Sequence, residues 1–197
     1  MRRTLTTAAL MTLVLTVLTG VIYPFAMTGL AQIFFHDQAN GSLIYGPHGQ
    51  VIGSSEIGQL FTKPRYFHGR ASAAVSTTSP NGYAADASAG TQLGPTNTKL
   101  LTTTVALAAQ IRKEDGLPAN YPLPADAVST SASGLDPNIS PAYAALQVPR
   151  VARARGLSQA TVRALVQTYT SGRDLGVLGE PRVNVLELNL ALDRLKK

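Results

Sequence analysis

The sequence predicts one N-terminal transmembrane helix followed by a mixed α/β (α+β) extracytoplasmic domain, with a small sheet early and helices late. Three observations carry this prediction. No charged residue occurs from Thr4 to Phe35. Arg2 and Arg3 precede that stretch, and the next Lys or Arg is Lys63. Beyond Phe35 the apolar pattern changes to short strand-like pieces and then to helical spacing. The expected division is residues 1–9 as a short cytoplasmic N-terminus, 10–32 as the membrane helix and 33–197 as the extracytoplasmic domain.

The apolar heart runs from Leu10 to Leu30. As a helix it would span roughly 31 Å, close to the hydrocarbon thickness of a bilayer. The one-sided placement of Arg2 and Arg3 predicts a cytoplasmic N-terminus. The alternative is a cleaved signal peptide. The stretch is longer than a usual signal core, and no Ala-x-Ala site follows it. Thr12, Thr16 and Gly20 fall at helical spacing on one small, weakly polar face, which suits packing against a partner helix in lipid. Pro24 frees the carbonyl of Gly20, so a kink is expected there.

In the remainder, Ser42–Tyr45 and Gln50–Gly53 flank Gly46-Pro-His-Gly49 and predict a β-hairpin. Phe61 and Tyr66-Phe67 suggest short extended pieces around the Lys63-Pro64 break. Residues 71–98 have a loop composition. A helix is predicted from Asn97 or Thr98 to about Glu114, with Gly116 past its end. Ala127–Ser131 is predicted as a strand. Ser140-Pro141 marks a helix start, Pro149 a kink or an end, and Gly156 the close of any continuation. Ser158 and Asn184 cap two further helices, carrying Val162, Leu165, Val166, Tyr169 and Val185, Leu188, Leu192, Leu195.

Composition narrows the function. Hydrophobic residues make up 45% and charged residues only 14%, which suits a membrane-attached chain. There is no Cys, which excludes disulfides, thiolate zinc sites and a Cys nucleophile. The net charge of +6 is scattered and Trp is absent, so nucleic-acid binding is not expected. Arg150, Arg153 and Arg155 are expected on a solvated helix face. His36, His48 and His68 have no zinc-ligand spacing, and Asp126 and Asp136 are expected to be loop or capping carboxylates. The chain contains no phosphate-binding Gly-Lys loop, dinucleotide fingerprint, Asp-Lys-Thr-Gly segment or Gly-x-Ser-x-Gly elbow. No catalytic or metal-ligating residue is therefore predicted. Lys63–Arg70 concentrates cations and aromatics, and Arg65, Tyr66, Phe67 and Arg70 are candidate partner contacts.

Several blocks carry a resemblance: Phe61-x-x-Pro-x-Tyr-Phe-x-x-Arg70, Leu93-Gly-Pro-Thr-Asn97, Ser133-Gly-Leu-Asp-Pro137, Gln147-Val-x-Arg-Val-Ala152 and Leu178 through Asp193. With these the chain resembles the C subunit of the Kdp-type potassium-transporting P-type ATPase, nearly end to end. Asn138 stands where that family usually has His, and Ala71 where it often has Pro. The resemblance implies a non-catalytic accessory subunit in a bacterial inner membrane. It would be needed for assembly and activity of a channel-like, K⁺-binding subunit and a P-type ATPase subunit. It further implies a catalytic chaperone that raises the ATP affinity of the ATPase subunit, with ATP as a ligand and K⁺ carried by a partner. Were nucleotide to bind this chain, Gln147, Arg150 and the loop from Ser133 to Ser140 are the candidate contacts. The predicted topology opposes this, because it places those residues outside the cytoplasm, away from ATP. The alternative function is an independent membrane-tethered extracytoplasmic binding protein.

Overall fold

The computed structural model describes residues 1–195, in two units that divide after Ile52. The first unit is dominated by one long helix from Arg2 to Phe34, with a mean hydropathy of 2.1 and no buried residue in its apolar window. It consists of α1 (Arg2–Val17), a π-helical turn (Leu18–Ile22) and α2 (Tyr23–Phe34). The π turn lies just before Pro24. Tyr23 N–H donates to Leu18 O, five residues back, which widens the helix where proline withholds its donor. Thr12 and Thr19 donate their hydroxyls to Ala8 O and Leu15 O at 2.9 and 2.7 Å, so both are satisfied within the helix. A short helix, α3 (His36–Ala39), follows, and Gln32 and Asn40 exchange side-chain amide hydrogen bonds. Strands β1 (Leu43–Tyr45) and β2 (Val51–Ser54) then form the early two-stranded hairpin.

The second unit holds the core. Residues 55–97 contain no helix or strand, so Phe61 and Tyr66-Phe67 form no extended strand of their own. Helix α4 (Thr98–Asp115) is capped by Asn97, whose side-chain Oδ1 accepts from Lys99 N–H at 2.9 Å, and it ends on left-handed Gly116. Helix α5 (Pro141–Arg155) is capped by Ser140 and ends on Gly156 in the same conformation. Ser158 caps α6 (Gln159–Thr168), and Asn184 caps α7 (Val185–Arg194). A three-stranded antiparallel sheet joins β3 (Asn138–Ile139), β5 (Arg182–Asn184) and β4 (Thr170–Ser171), with β5 in the middle. Ile139 and Thr170 flank Val183 across the two ladders.

A further sequence expectation needs correction. Ala127–Ser131 is not a strand. It leaves a 3₁₀ turn (Ala125–Ala127), Ser129 Oγ folds back onto Ala125 O at 2.7 Å, and only Thr130 pairs, in a single bridge to Ala71. Of the two outcomes expected at Pro149, a kink or an end, the end does not occur: α5 continues to Arg155 and closes on Gly156, as expected for a continuation. Pro149 leaves the carbonyl of Ala145 without its helical donor, and Ala145 is exposed, so water can serve that carbonyl.

The core packs α5 against α4 and α6, and α6 against α7. Tyr143, Ala144, Val148, Val151 and Ala152 of α5 meet Val162 and Val166 of α6, Leu188 and Leu192 of α7, and Val183 of the sheet. Phe67 enters this core from the irregular segment and is fully buried. Burying a side chain of this size contributes about 1.5–3 kcal/mol.

Candidate functional site

The segment from Leu60 to Ala71 crosses the faces of α5 and α7, and side chains take the place of a partner strand along it. Asn189 accepts from Phe67 N–H at 2.8 Å and donates to Phe67 O at 2.9 Å. Gln147 repeats the pattern one residue on, accepting from His68 N–H at 2.7 Å and donating to His68 O at 3.0 Å. Both carboxamides are at most 1% exposed. Polar residues on the inner faces of α5 and α7 would be costly in an apolar core, and here each is matched by a peptide group.

Arg150 closes the arrangement. Its guanidinium donates to Asp115 Oδ1 (2.7 Å), Pro64 O (2.7 Å), Tyr66 O (2.9 Å) and Gln147 Oε1 (2.6 Å). One helix turn further, Arg155 donates to Arg65 O at 2.7 Å and to Asp193 at 2.8 Å, and its guanidinium lies 5.1 Å from the centre of the Tyr66 ring. Tyr66 donates its hydroxyl to the same Asp193 at 3.0 Å. The expectation of a solvated face for Arg150 and Arg155 is therefore corrected. Arg150 is 7% exposed and the Arg155 side chain 5%, because a segment about ninety residues upstream covers them; only Arg153 is exposed.

Burial sets the electrostatics. Desolvation pushes the Asp115 carboxyl above its ordinary range, and the Arg150 ion pair pulls it back in part. Desolvation, and next the Arg150 charge, hold the His68 imidazole below 6.5. Its Nε2 lies 3.2 Å from Lys63 O, an acceptor, so the hydrogen of the neutral ring sits on Nε2. Nδ1 lies 3.5 Å from Glu114. Tyr83, pushed up to about 12 by burial, donates to Arg70 O at 2.7 Å. Beside this lies a cavity of about 200 Å³, bordered by Phe61, His68, Arg70, Glu114 and Tyr143.

The sequence-predicted residues fall in different places. Gln147, Arg150, Tyr66, Phe67 and Arg65 converge on this clamp. Arg70 lies at its end, bound to Asp136 (3.1 Å), Ser129 and Thr130 O. Ser133 is apart, in a turn where its Oγ accepts from Leu135 N–H. Asp126 and Asp136 are turn carboxylates, accepting from Ser140 and from Asn138 N–H and Arg70. Thr12, Thr16, Gly20 and Pro24 are exposed on the long helix, and nothing lies within 4 Å of a Cβ added at Gly20. Sequence reasoning missed Asn189, Asp115 and Asp193. The signal for Asn189 was present, since it interrupts the apolar face Leu188-Asn-Leu-Ala-Leu192. Among the described residues no group of three His, Asp or Glu could hold a metal. The arrangement can position and stiffen a surface; it pairs no nucleophile with a base.

One membrane-length helix ahead of a single mixed α/β domain defines a single-anchor membrane protein. The family model for the K⁺-transporting ATPase c chain, KdpC, matches residues 5–194. The potassium-transporting ATPase KdpC subunit of Mycobacterium tuberculosis (strain H37Rv) is 54% identical over 195 residues, covering 99% of this chain and all of that one. Those of Koribacter versatilis and Methylococcus capsulatus are 53% and 54% identical, covering 98% and 96% of this chain and 95% and 96% of theirs. The chain belongs to the KdpC family.

Proposed function

We propose that this chain is a non-catalytic accessory subunit of an ATP-driven, high-affinity potassium uptake complex, anchored by one helix in a bacterial inner membrane. The observation that carries the reading is identity of 53–54% to potassium-transporting ATPase KdpC subunits over nearly the whole chain. The anchor helix and the rigid, polar-clamped domain support it. Its partners are a channel-like K⁺-binding subunit and a P-type ATPase subunit. Arg2 and Arg3 ahead of an uncharged span favour a cytoplasmic N-terminus and an extracytoplasmic domain. The small face of Thr12, Thr16 and Gly20 packs on a partner helix in lipid.

The chaperone role is the finer part of this reading. Any rise in ATP affinity of the ATPase subunit passes through subunit contacts and not through nucleotide held here. Gln147 and Arg150, the best nucleotide candidates, are buried and bonded to Asp115, His68 and the Pro64 and Tyr66 carbonyls. The test is deletion of the chain in cells grown at limiting K⁺, with complementation by a C-terminally tagged copy. Loss of growth, rescue, and co-purification of the ATPase subunit with the tag are expected. Normal growth without the chain would overturn the proposal. A tag reachable from outside intact cells fits the orientation; one reachable only after lysis refutes it.

A further inference from the structure

The connection from β4 to β5 is a stiff hairpin with an apolar tip. Asp174 and Leu178 exchange backbone hydrogen bonds at 2.8 and 2.9 Å. Arg173 Nη2 bonds both carboxylate oxygens of Glu180, at 3.0 and 2.8 Å, and Arg182 lies 3.5 Å from Asp174. Every acid and base from 173 to 182 is thus paired within the hairpin. Beyond these pairs project Leu175, Val177 and Leu178, which are 89, 74 and 58% exposed. Leu175 also holds a left-handed φ of +52°, which an L side chain adopts only at a cost. Strain that presents an apolar side chain to water is a mark of a surface shaped for a partner.

At the hairpin base, Gly172 and Pro181 border a groove of about 600 Å³ with an apolar floor that includes Val148 and Val166. Arg163 and Gln167 also line it. Arg163 bonds the Gln159 side chain at 3.1 Å and has no carboxylate partner among the described residues. We infer that the 172–181 hairpin and this groove are the docking surface for an apolar segment of another subunit of the same complex, one that sets a carboxylate against Arg163. The inference rests on the accessory-subunit reading above. A lipid surface fits less well, because the hairpin has no aromatic residue or Lys, and both Arg173 and the adjoining Arg182 are engaged. A second copy also fits less well. A two-fold contact would set this patch against itself, and its own carboxylates are already paired.

The test uses the full-length chain in intact membranes of the native complex. A photo-crosslinking residue at Leu175 should give an adduct with another subunit. The double variant Leu175→Ser/Val177→Ser and the single variant Arg163→Glu should each lower recovery of the crosslinked subunit at least about tenfold. Their thermal melts should match the parent chain, since these side chains lie outside the core. Parent-level recovery with both variants, or adducts only with lipid or a second copy, overturns the docking surface alone. Failure of the parent chain itself to recover any partner overturns the accessory role as well.

Discussion

Arg150 is buried with four hydrogen bonds, and two of its acceptors belong to a segment without regular structure. Removing it strands the Asp115 carboxylate and two carbonyls in the core. Arg150→Ala should destabilise the domain by about 3–5 kcal/mol, read from denaturant melts of the full chain in detergent. His68 gives a pH signature. Its folded pKa lies below 6.5, so the folded state holds fewer protons than the unfolded chain once pH falls under that value. Its contribution to stability is complete above 6.5 and is lost as pH falls toward the folded value. Melts of His68→Gln, whose amide can still donate to Lys63 O, should show a flatter dependence on acidification than the parent. Two glycines should also separate. At Gly156 an added Cβ meets nothing, so Gly156→Ala costs only the left-handed strain, about 1–2 kcal/mol. At Gly134 the Cβ would lie 2.6 Å from both Ala74 Cβ and Ala89 O, so Gly134→Ala should cost clearly more in the same melts.

Among the elements, helix ends were the most legible because their chemistry is local. Asn97, Ser140, Ser158 and Asn184 each accept a backbone N–H two or three residues on, and Gly116 and Gly156 each supply a positive φ. Ser140 does more than cap, since its hydroxyl also donates to Asp126 at 2.9 Å. Ser140→Ala should therefore cost about 1–2 kcal/mol, the upper part of the capping range, and circular dichroism melts would measure it. Strands were the least legible. β3, β4 and β5 hold two or three residues each, too short to show an alternation of period two, and β3 comes from a segment distant from the other two. The Ala127–Ser131 expectation failed for a related reason. Propensity favoured extension, but no neighbouring strand reached it beyond the single bridge to Ala71.

For the whole molecule, the anchor, the order of helices and the family were readable in the chain, while the clamp was not. Gln147 and Arg150 stood out by type, yet their partners in the irregular segment lie 79 to 86 positions upstream, and no local pattern encodes such a meeting. Replacing Gly20 by Leu tests the anchor as a packing element: helix content should be unchanged, because the space beside Gly20 is open, while co-purification with the ATPase subunit should weaken.

The peptide groups of Phe67 and His68 are held by carboxamides from α7 and α5, not by neighbouring backbone. Their amide protons can reach solvent deuterium only when the Phe67–His68 segment leaves both helices, which also pulls the fully buried Phe67 ring out of the core. In a hydrogen-exchange experiment, two residues outside any helix or strand should then be among the slowest in the domain, reporting the opening of its whole interior.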